Sequence, residues 1–232
     1  MRSIPAMNPP NLDVKQTINL PRTNFSMKAN LPQAEPKMLA RWAAEDLYNQ
    51  LQLNDHEKAY VEQLSHGKRH LHWLGTRVLL RKMLNTVEYI DCQVDEHGKP
   101  YLVHLPYHIS FSHSFDYAAV MMSKTRPVGI DIEQIKQKVE RIAHKFMRPA
   151  EMKFVNEQDR IQQLYVCWCA KEAVYKCYGQ KEISFADNIS LEPFNFAKDG
   201  RVSAHLNKGL VALDYTVDYL QYEDYMIGYV KG

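Results

Sequence analysis

Asp131 and Glu133 stand one residue apart in Val128-Gly129-Ile130-Asp131-Ile132-Glu133. In a strand they project from one face, about 6–7 Å apart along the backbone. Further on, Trp168-Cys169-Ala170-Lys171-Glu172-Ala173-Val174-Tyr175-Lys176 sets Glu172 and Lys176 at i, i+4, so they share one helical stripe. A strand offering two carboxylates to a helix that offers a third suits Mg²⁺, which takes oxygen ligands and completes its octahedron with water and substrate phosphate. Asp131, Glu133 and Glu172 are therefore the candidate metal ligands, and the chemistry is metal-assisted phosphoryl-group transfer.

Strand-end acids and i, i+4 pairs are also ordinary surface features, worth a few tenths of a kcal/mol. Two details favour a site. The acids alternate with Ile130 and Ile132, so the strand packs one face and aims acids from the other. Glu172 lies one turn beyond Trp168 on a helix whose Ile161, Leu164, Tyr165 and Trp168 form an apolar stripe. A charge continuing a core-facing stripe is costly unless paired or metal-bound.

The rest of the chain must position these groups. Its 232 residues are 45% hydrophobic and 24% charged, enough for one large domain or two small ones. A net charge of +2 argues against a strongly basic nucleic-acid binder as a whole, and no apolar run reaches membrane-span length. The N-terminus lacks the apolar stretch of a secretory signal, so a cytoplasmic home is expected. Cys167, Cys169 and Cys177 fall in one predicted helix, with Cys92 apart and no Cys-x-x-Cys pair; buried, inert thiols are expected.

Residues 1–37, rich in Pro and Asn, read as an extended or partly disordered lead-in with one short strand. Residues from Met38 to about Leu53 suit an edge strand, a turn and a short helix. Helices are predicted over Asp55–Leu64 (capped by Asn54), Ser65–Leu84, Val139–Met147 and Asp159–Tyr178, the last ended by Gly179. Pro149 suits the first turn of a further helix, with Glu151 near its positive end. His108–Ser114 alternates as a strand after the Gly98-Lys99-Pro100-Tyr101 turn. Tyr117–Ser123 and Val128–Ile132 read as a hairpin around Lys124–Pro127, and Ile189–Val230 as a strand meander. Helices followed by strands occur twice, in an N-terminal half (38–125) and a C-terminal half (126–232) that carries the metal site. The expected fold is α+β and two-lobed, with a ligand cleft between the halves.

No acidic residue stands between Glu62 and Glu88, while Lys68, Arg69, Arg77, Arg81 and Lys82 all do. Such a run is either a solvated helix face or an anion site in which Lys68, Arg69 and Arg77 hold phosphate. A nucleic-acid module using Lys68–Lys82 is the weaker alternative, because no recognised motif accompanies it. His113, between Ser112 and Ser114 and with Lys99 upstream, is either a structural histidine or part of an oxyanion corner.

These motifs resemble the surfactin-type 4′-phosphopantetheinyl transferases: Gly129-Ile130-Asp131-Ile132-Glu133, then Trp168-x-x-Lys171-Glu172-x-x-x-Lys176, preceded by Gly98-Lys99-Pro100-Tyr101 and Ile109-Ser110-Phe111-Ser112-His113-Ser114. Phe111 stands where an Ile is common. The resemblance covers roughly residues 60–200. It implies a pseudo-twofold α+β fold with coenzyme A between the halves, Asp131, Glu133 and Glu172 around Mg²⁺, and Lys171 and Lys176 near the reacting phosphate. It also implies that Lys99, Ser112 and His113 contact phosphates or the adenine nucleotide, and that Lys68, Arg69 and Arg77 meet the 3′-phosphate. The implied reaction moves 4′-phosphopantetheine from coenzyme A to a serine of an apo acyl or peptidyl carrier protein, with Glu172 as base and Lys176 stabilising charge. A monomer suffices for such a fold. A coenzyme A-binding protein without turnover is the alternative, though a pure binder has no need of all four charged groups.

Overall fold

A computed structural model describes residues 51–64 and 69–232, together with the backbone of residue 68 and of three short strands at 17–19, 26–28 and 37–40. Most of the expected lead-in, and the short helix expected after Met38, lie outside the described residues. β1 (Thr17–Asn19) pairs with β2 (Ser26–Lys28). The other strands form two five-stranded antiparallel sheets. One contains β3 (Lys37–Ala40), β4 (Cys92–Val94), β5 (Pro100–Leu102), β6 (His108–Ser114) and β7 (Tyr117–Ser123). The other contains β8 (Val128–Gln134), β9 (Ile189–Leu191), β10 (Asp199–Lys208), β11 (Val211–Tyr222) and β12 (Tyr225–Lys231). Both follow one spatial order, first-fifth-fourth-third-second.

In each sheet the helices fall between the first strand and the second. The first excursion carries α1 (Asp55–Gln63) and α2 (Lys68–Leu84). The second carries α3 (Val139–Ile142), 3-10 turns at Ala143–Lys145 and Glu151–Phe154, α4 (Arg160–Tyr178) and α5 (Phe185–Asn188). Asn54 caps α1 as expected, in a reciprocal box in which its Oδ1 accepts from Glu57 N at 2.8 Å. Gly179 ends α4 at φ +73, and an added Cβ there would meet the Lys99 stem at 2.4 Å. The helix expected over Val139–Met147 is a single α turn followed by a 3-10 turn. No helix among the described residues is long and apolar enough to cross a membrane.

β7 and β8 are not a hairpin. β7 pairs with β6 and β3, whereas β8 pairs along its length with β12, and Gly232 N extends that ladder to Pro127 O at 2.8 Å. Lys124–Pro127 therefore carries the chain from one sheet to the next. The two sheets share a core in which Tyr117, Ala119 and Met121 of β7 pack with Val128, Ile130 and Ile132 of β8 and Tyr225, Ile227 and Tyr229 of β12. The opposite face of β7, Ala118, Val120 and Met122, packs with Leu79 and Leu80 of α2. Being covered on both faces, β7 reads as an unbroken apolar run.

α4 lies against β8 and β12 at two glycines. A Cβ at Gly129 would stand 1.8 Å from Ala173 O, and one at Gly228 would stand 2.9 Å from the Cys169 carbonyl. Backbone, unlike a flexible side-chain end, cannot yield cheaply. Gly129→Ala should therefore destabilise the fold by about 1–3 kcal/mol. Urea denaturation checks this, and an unshifted midpoint would contradict the close seating of the helix.

On the other side of that sheet's hairpin, the His205 ring nitrogens contact Asp214 Oδ1 at 2.6 Å and Glu192 Oε1 at 2.9 Å. The Asp214 hydrogen bond outweighs desolvation, and Glu192 adds to it, so the imidazole is held above its ordinary range. A raised folded value means the protonated form is the stabilised one. The contribution is complete below the unfolded pKa and disappears as pH rises through the folded one. His205→Gln should lower the melting temperature at about pH 5.5 and leave it unchanged at about pH 9. A deficit of equal size at both pH values would show that charge is not involved.

Candidate active site

Ile130 and Ile132 point into the shared core, so Asp131 and Glu133 emerge on the α4 side of β8. Asp131 is 4% exposed. Its Oδ1 accepts from Lys176 Nζ at 2.6 Å and Ser112 Oγ at 2.8 Å, while its buried Oδ2 has no hydrogen-bond partner among the described residues. Lys176 Nζ also donates to Ser112 Oγ at 3.0 Å and to Ile130 O at 3.1 Å. Glu133, half-buried, accepts from Ser114 Oγ at 3.0 Å. Glu172 lies one turn before Lys176, also half-buried.

The acids sense one another. Burial, then the charge of Asp131, pushes the Glu172 carboxyl up to about 7, with Glu133 adding and Lys176 opposing. Burial and then Asp131 also raise Glu133. Burial works against the Lys176 charge, but Asp131 and Glu172 outweigh it and hold the ammonium above the usual lysine range. Lys176 acts on all three carboxylates, with Lys138 also near Glu133, and one buried oxygen is orphaned, which carries a desolvation cost.

The donor types suit a hard divalent cation, since all are carboxylate oxygens and the buried Asp131 Oδ2 has no hydrogen-bond partner among the described residues. Among the described residues, however, no three His, Cys, Asp or Glu side chains are gathered closely enough to hold an ion. Lys176 meanwhile takes the place of counter-ion to Asp131.

β6 sorts the residues expected upstream. Ser112 is buried on the face toward β8, as the contacts above require. His113 faces α2, where its ring stacks on His72 with centroids 4.1 Å apart. Desolvation, then His72 and Lys176, pushes its pKa down to about 4. Arg77 lies on the α2 side too, its guanidinium 4.7 Å from the Trp73 ring centroid and 5.0 Å from that of Phe111. Arg69 is exposed, and the side chain of Lys68 lies outside the described residues. Arg81 turns inward to Val87 O and Glu88 O. Arg77 and Arg81 are thus engaged in contacts within the protein.

Two lysines do other work than the motif suggests. Lys99 Nζ donates to Cys177 O at 2.7 Å, at the negative end of α4. Lys171 corrects the expectation that it approaches a phosphate. It is fully buried, and its Nζ donates to Glu151 Oε2 at 2.7 Å, Phe146 O at 2.7 Å and Phe185 O at 3.2 Å. All three ammonium protons are used inside the protein. Glu151 opens the 3-10 turn after Pro149, near the helix start as expected, and it is buried, accepting also from Arg148 N and Leu191 N. All four cysteines are free, with Cys167, Cys169 and Cys177 buried as expected.

Residues 127–230 match the family model of the 4′-phosphopantetheinyl transferase superfamily. The matched span holds β8, α4 and all but the last residue of β12, and with them Asp131, Glu133, Glu172 and Lys176. Short stretches also resemble isoleucine–tRNA ligases. The chain is 47% identical over 51 residues to that of Thermoanaerobacter sp. (strain X514), which is 22% of this chain and 6% of the ligase. It is 59% identical over 39 residues to that of Teredinibacter turnerae, 17% of this chain and 4% of the ligase. The chain thus spans only 4–6% of the length of these relatives, and the functional argument rests on the transferase match.

Ser110 was not singled out from sequence, and Ser114 only as a flank of the oxyanion corner around His113. The signal was present as serine at every second position of an alternating strand, Ser110-x-Ser112-x-Ser114.

Proposed function

We propose that this protein is a surfactin-type 4′-phosphopantetheinyl transferase, moving the 4′-phosphopantetheine group of coenzyme A to a serine hydroxyl of an apo acyl or peptidyl carrier protein. The observation that carries the reading is the superfamily match over residues 127–230, within which Asp131, Glu133, Glu172 and Lys176 share one electrostatic neighbourhood. The matching strand orders of the two sheets support a pseudo-twofold, two-lobed molecule with coenzyme A at the seam between them, and a single chain then suffices. Free, buried thiols accord with a reducing, cytoplasmic setting.

In the proposed reaction the carrier serine oxygen bonds to the phosphorus bearing pantetheine. The bond from that phosphorus to the bridging oxygen breaks, and its electron pair leaves with 3′,5′-ADP. Glu172 takes the hydroxyl proton; burial and Asp131 push its carboxyl up to about 7, and a cation bound beside it would draw that value down. Lys176, whose Nζ donates here to Asp131 Oδ1, Ser112 Oγ and Ile130 O, would release one of these contacts to offset charge on the phosphoryl oxygens. Mg²⁺ held by Asp131, Glu133 and Glu172 would supply Lewis-acid neutralisation of the pyrophosphate. Ser112, His113 and the basic side chains Lys68, Arg69, Arg77 and Lys99 are the proposed coenzyme contacts; of these, Ser112, Arg77 and Lys99 would first have to give up contacts they make here.

The test is incubation with coenzyme A, Mg²⁺ and a panel of apo carrier proteins, reading carrier mass. A phosphopantetheinyl gain on at least one carrier is expected. An unchanged mass across the panel, with coenzyme A still binding by calorimetry, would replace the transferase with a non-catalytic coenzyme A-binding protein.

A further inference from the structure

β8 is the outer strand of its sheet, bonded to β12 along one edge only. An antiparallel edge strand leaves alternate N–H groups unpaired, and buried amides need acceptors. Here Ile130 N donates to Ser110 Oγ at 3.1 Å, Ile132 N to Ser112 Oγ at 3.2 Å and Gln134 N to Ser114 Oγ at 3.1 Å. Three alternate serines of β6 thus take the part of a neighbouring strand's carbonyls, joining the two sheets through side chains.

A serine hydroxyl that accepts still has one proton to give. Ser112 gives it to Asp131 Oδ1 at 2.8 Å, and Ser114 to Glu133 Oε2 at 3.0 Å. Each serine therefore engages a two-residue unit of β8, the amide of one residue and the carboxylate of the residue before it. The unit facing Ser110 is Gly129-Ile130, where no carboxylate stands. The ladder has three rungs of one backbone geometry, and only two of them hold an acid.

We infer that Ser112 and Ser114 are positioning residues that fix the carboxylates of Asp131 and Glu133 for a divalent cation, whereas Ser110 serves the seam alone. The inference rests on the proposed function for the identity of that cation's role, but its geometry does not. Glu133 is half-buried and reaches its place on a flexible side chain, so without Ser114 it would spread over several rotamers. Groups that orient metal ligands typically change metal affinity by about 10–100-fold.

The internal comparison with Ser110 makes the test decisive. Full-length wild type, Ser110→Ala, Ser114→Ala and Ser114→Thr are titrated with Mn²⁺, reading the free ion by electron paramagnetic resonance, with thermal unfolding and carrier modification measured in parallel. Both alanine variants should lose comparable stability, because each orphans one β8 amide. Only Ser114→Ala should weaken Mn²⁺ binding, by about 10–100-fold, and Ser114→Thr should restore it. Ser114→Cys, with similar size and a feeble donor, repeats the comparison should the alanine variant fail to fold. Equal Mn²⁺ affinities for the two alanine variants, or a wild type that holds no Mn²⁺, would overturn the inference. Intact Mn²⁺ ranking with no carrier modified by any form would leave the positioning role standing and remove the transferase reading.

Discussion

Asp131→Asn should reduce phosphopantetheine transfer at least about a hundredfold while leaving the protein folded. The floor comes from residues that merely orient metal ligands, whose loss typically costs 10–100-fold; a ligand itself should cost no less. Asparagine keeps the shape and an oxygen able to accept from Ser112 and Lys176, but it removes the charge. Stability should survive for two reasons. Lys176 retains Ser112 Oγ and Ile130 O as acceptors and Glu172 as a charge partner. Glu133 and Glu172 are both raised by Asp131, so its neutralisation relieves like-charge repulsion and moves both downward. Lys176→Met is the contrasting change, since it strands a buried carboxylate and should cost stability as well as rate. Carrier mass followed over time, beside thermal melts, checks the prediction. Transfer by Asp131→Asn at the wild-type rate would remove Asp131 from the reacting centre.

What could be read from sequence divides along the range of the interaction responsible. The Asn54 cap, the Gly179 stop and the long helix between Asp159 and Tyr178 depend on contacts within a turn or two, and they stand as expected. The alternation that puts Ile130 and Ile132 in the core and the acids outside is equally local. The hairpin over Tyr117–Ile132 failed because the partner of β8 is β12, whose Ile227 pairs with Ile132 from the far end of the chain. No short-range pattern distinguishes a tight turn from a crossing between sheets.

Lys171 shows a second limit. It adjoins Glu172 in sequence, yet consecutive helical residues point about 100° apart. Which of the two faces the acids is decided by what covers the other side of α4, namely the 146–151 loop and Glu151. The acid after Pro149 does stand at a helix start, but its ion-pair partner lies in another element. Serine alternation in β6 was visible, but its meaning needed the position of the β8 edge.

Lys171→Met should destabilise the fold by about 3–5 kcal/mol, the range for a buried ion pair that loses one member. The change removes the cation that ties Glu151, Phe146 O and Phe185 O to α4, and it leaves a carboxylate that is 4% exposed. Arg148 N and Leu191 N still donate to that carboxylate, which favours the lower end of the range. Glu151→Gln on the same background removes the stranded charge and keeps an acceptor for one of the two amides. The double variant should therefore recover part of the loss, and Glu151→Leu should not, because both buried amides would then be orphaned. Urea midpoints for wild type, Lys171→Met and the two double variants check this. Activity separates this role from the one the motif implies. At a temperature where Lys171→Met is fully folded, transfer per molecule and the KM for coenzyme A should match wild type, because the ammonium has no proton left for a phosphate. A folded Lys171→Met with a raised KM would return Lys171 to the coenzyme site and would mean that its buried contacts open during turnover.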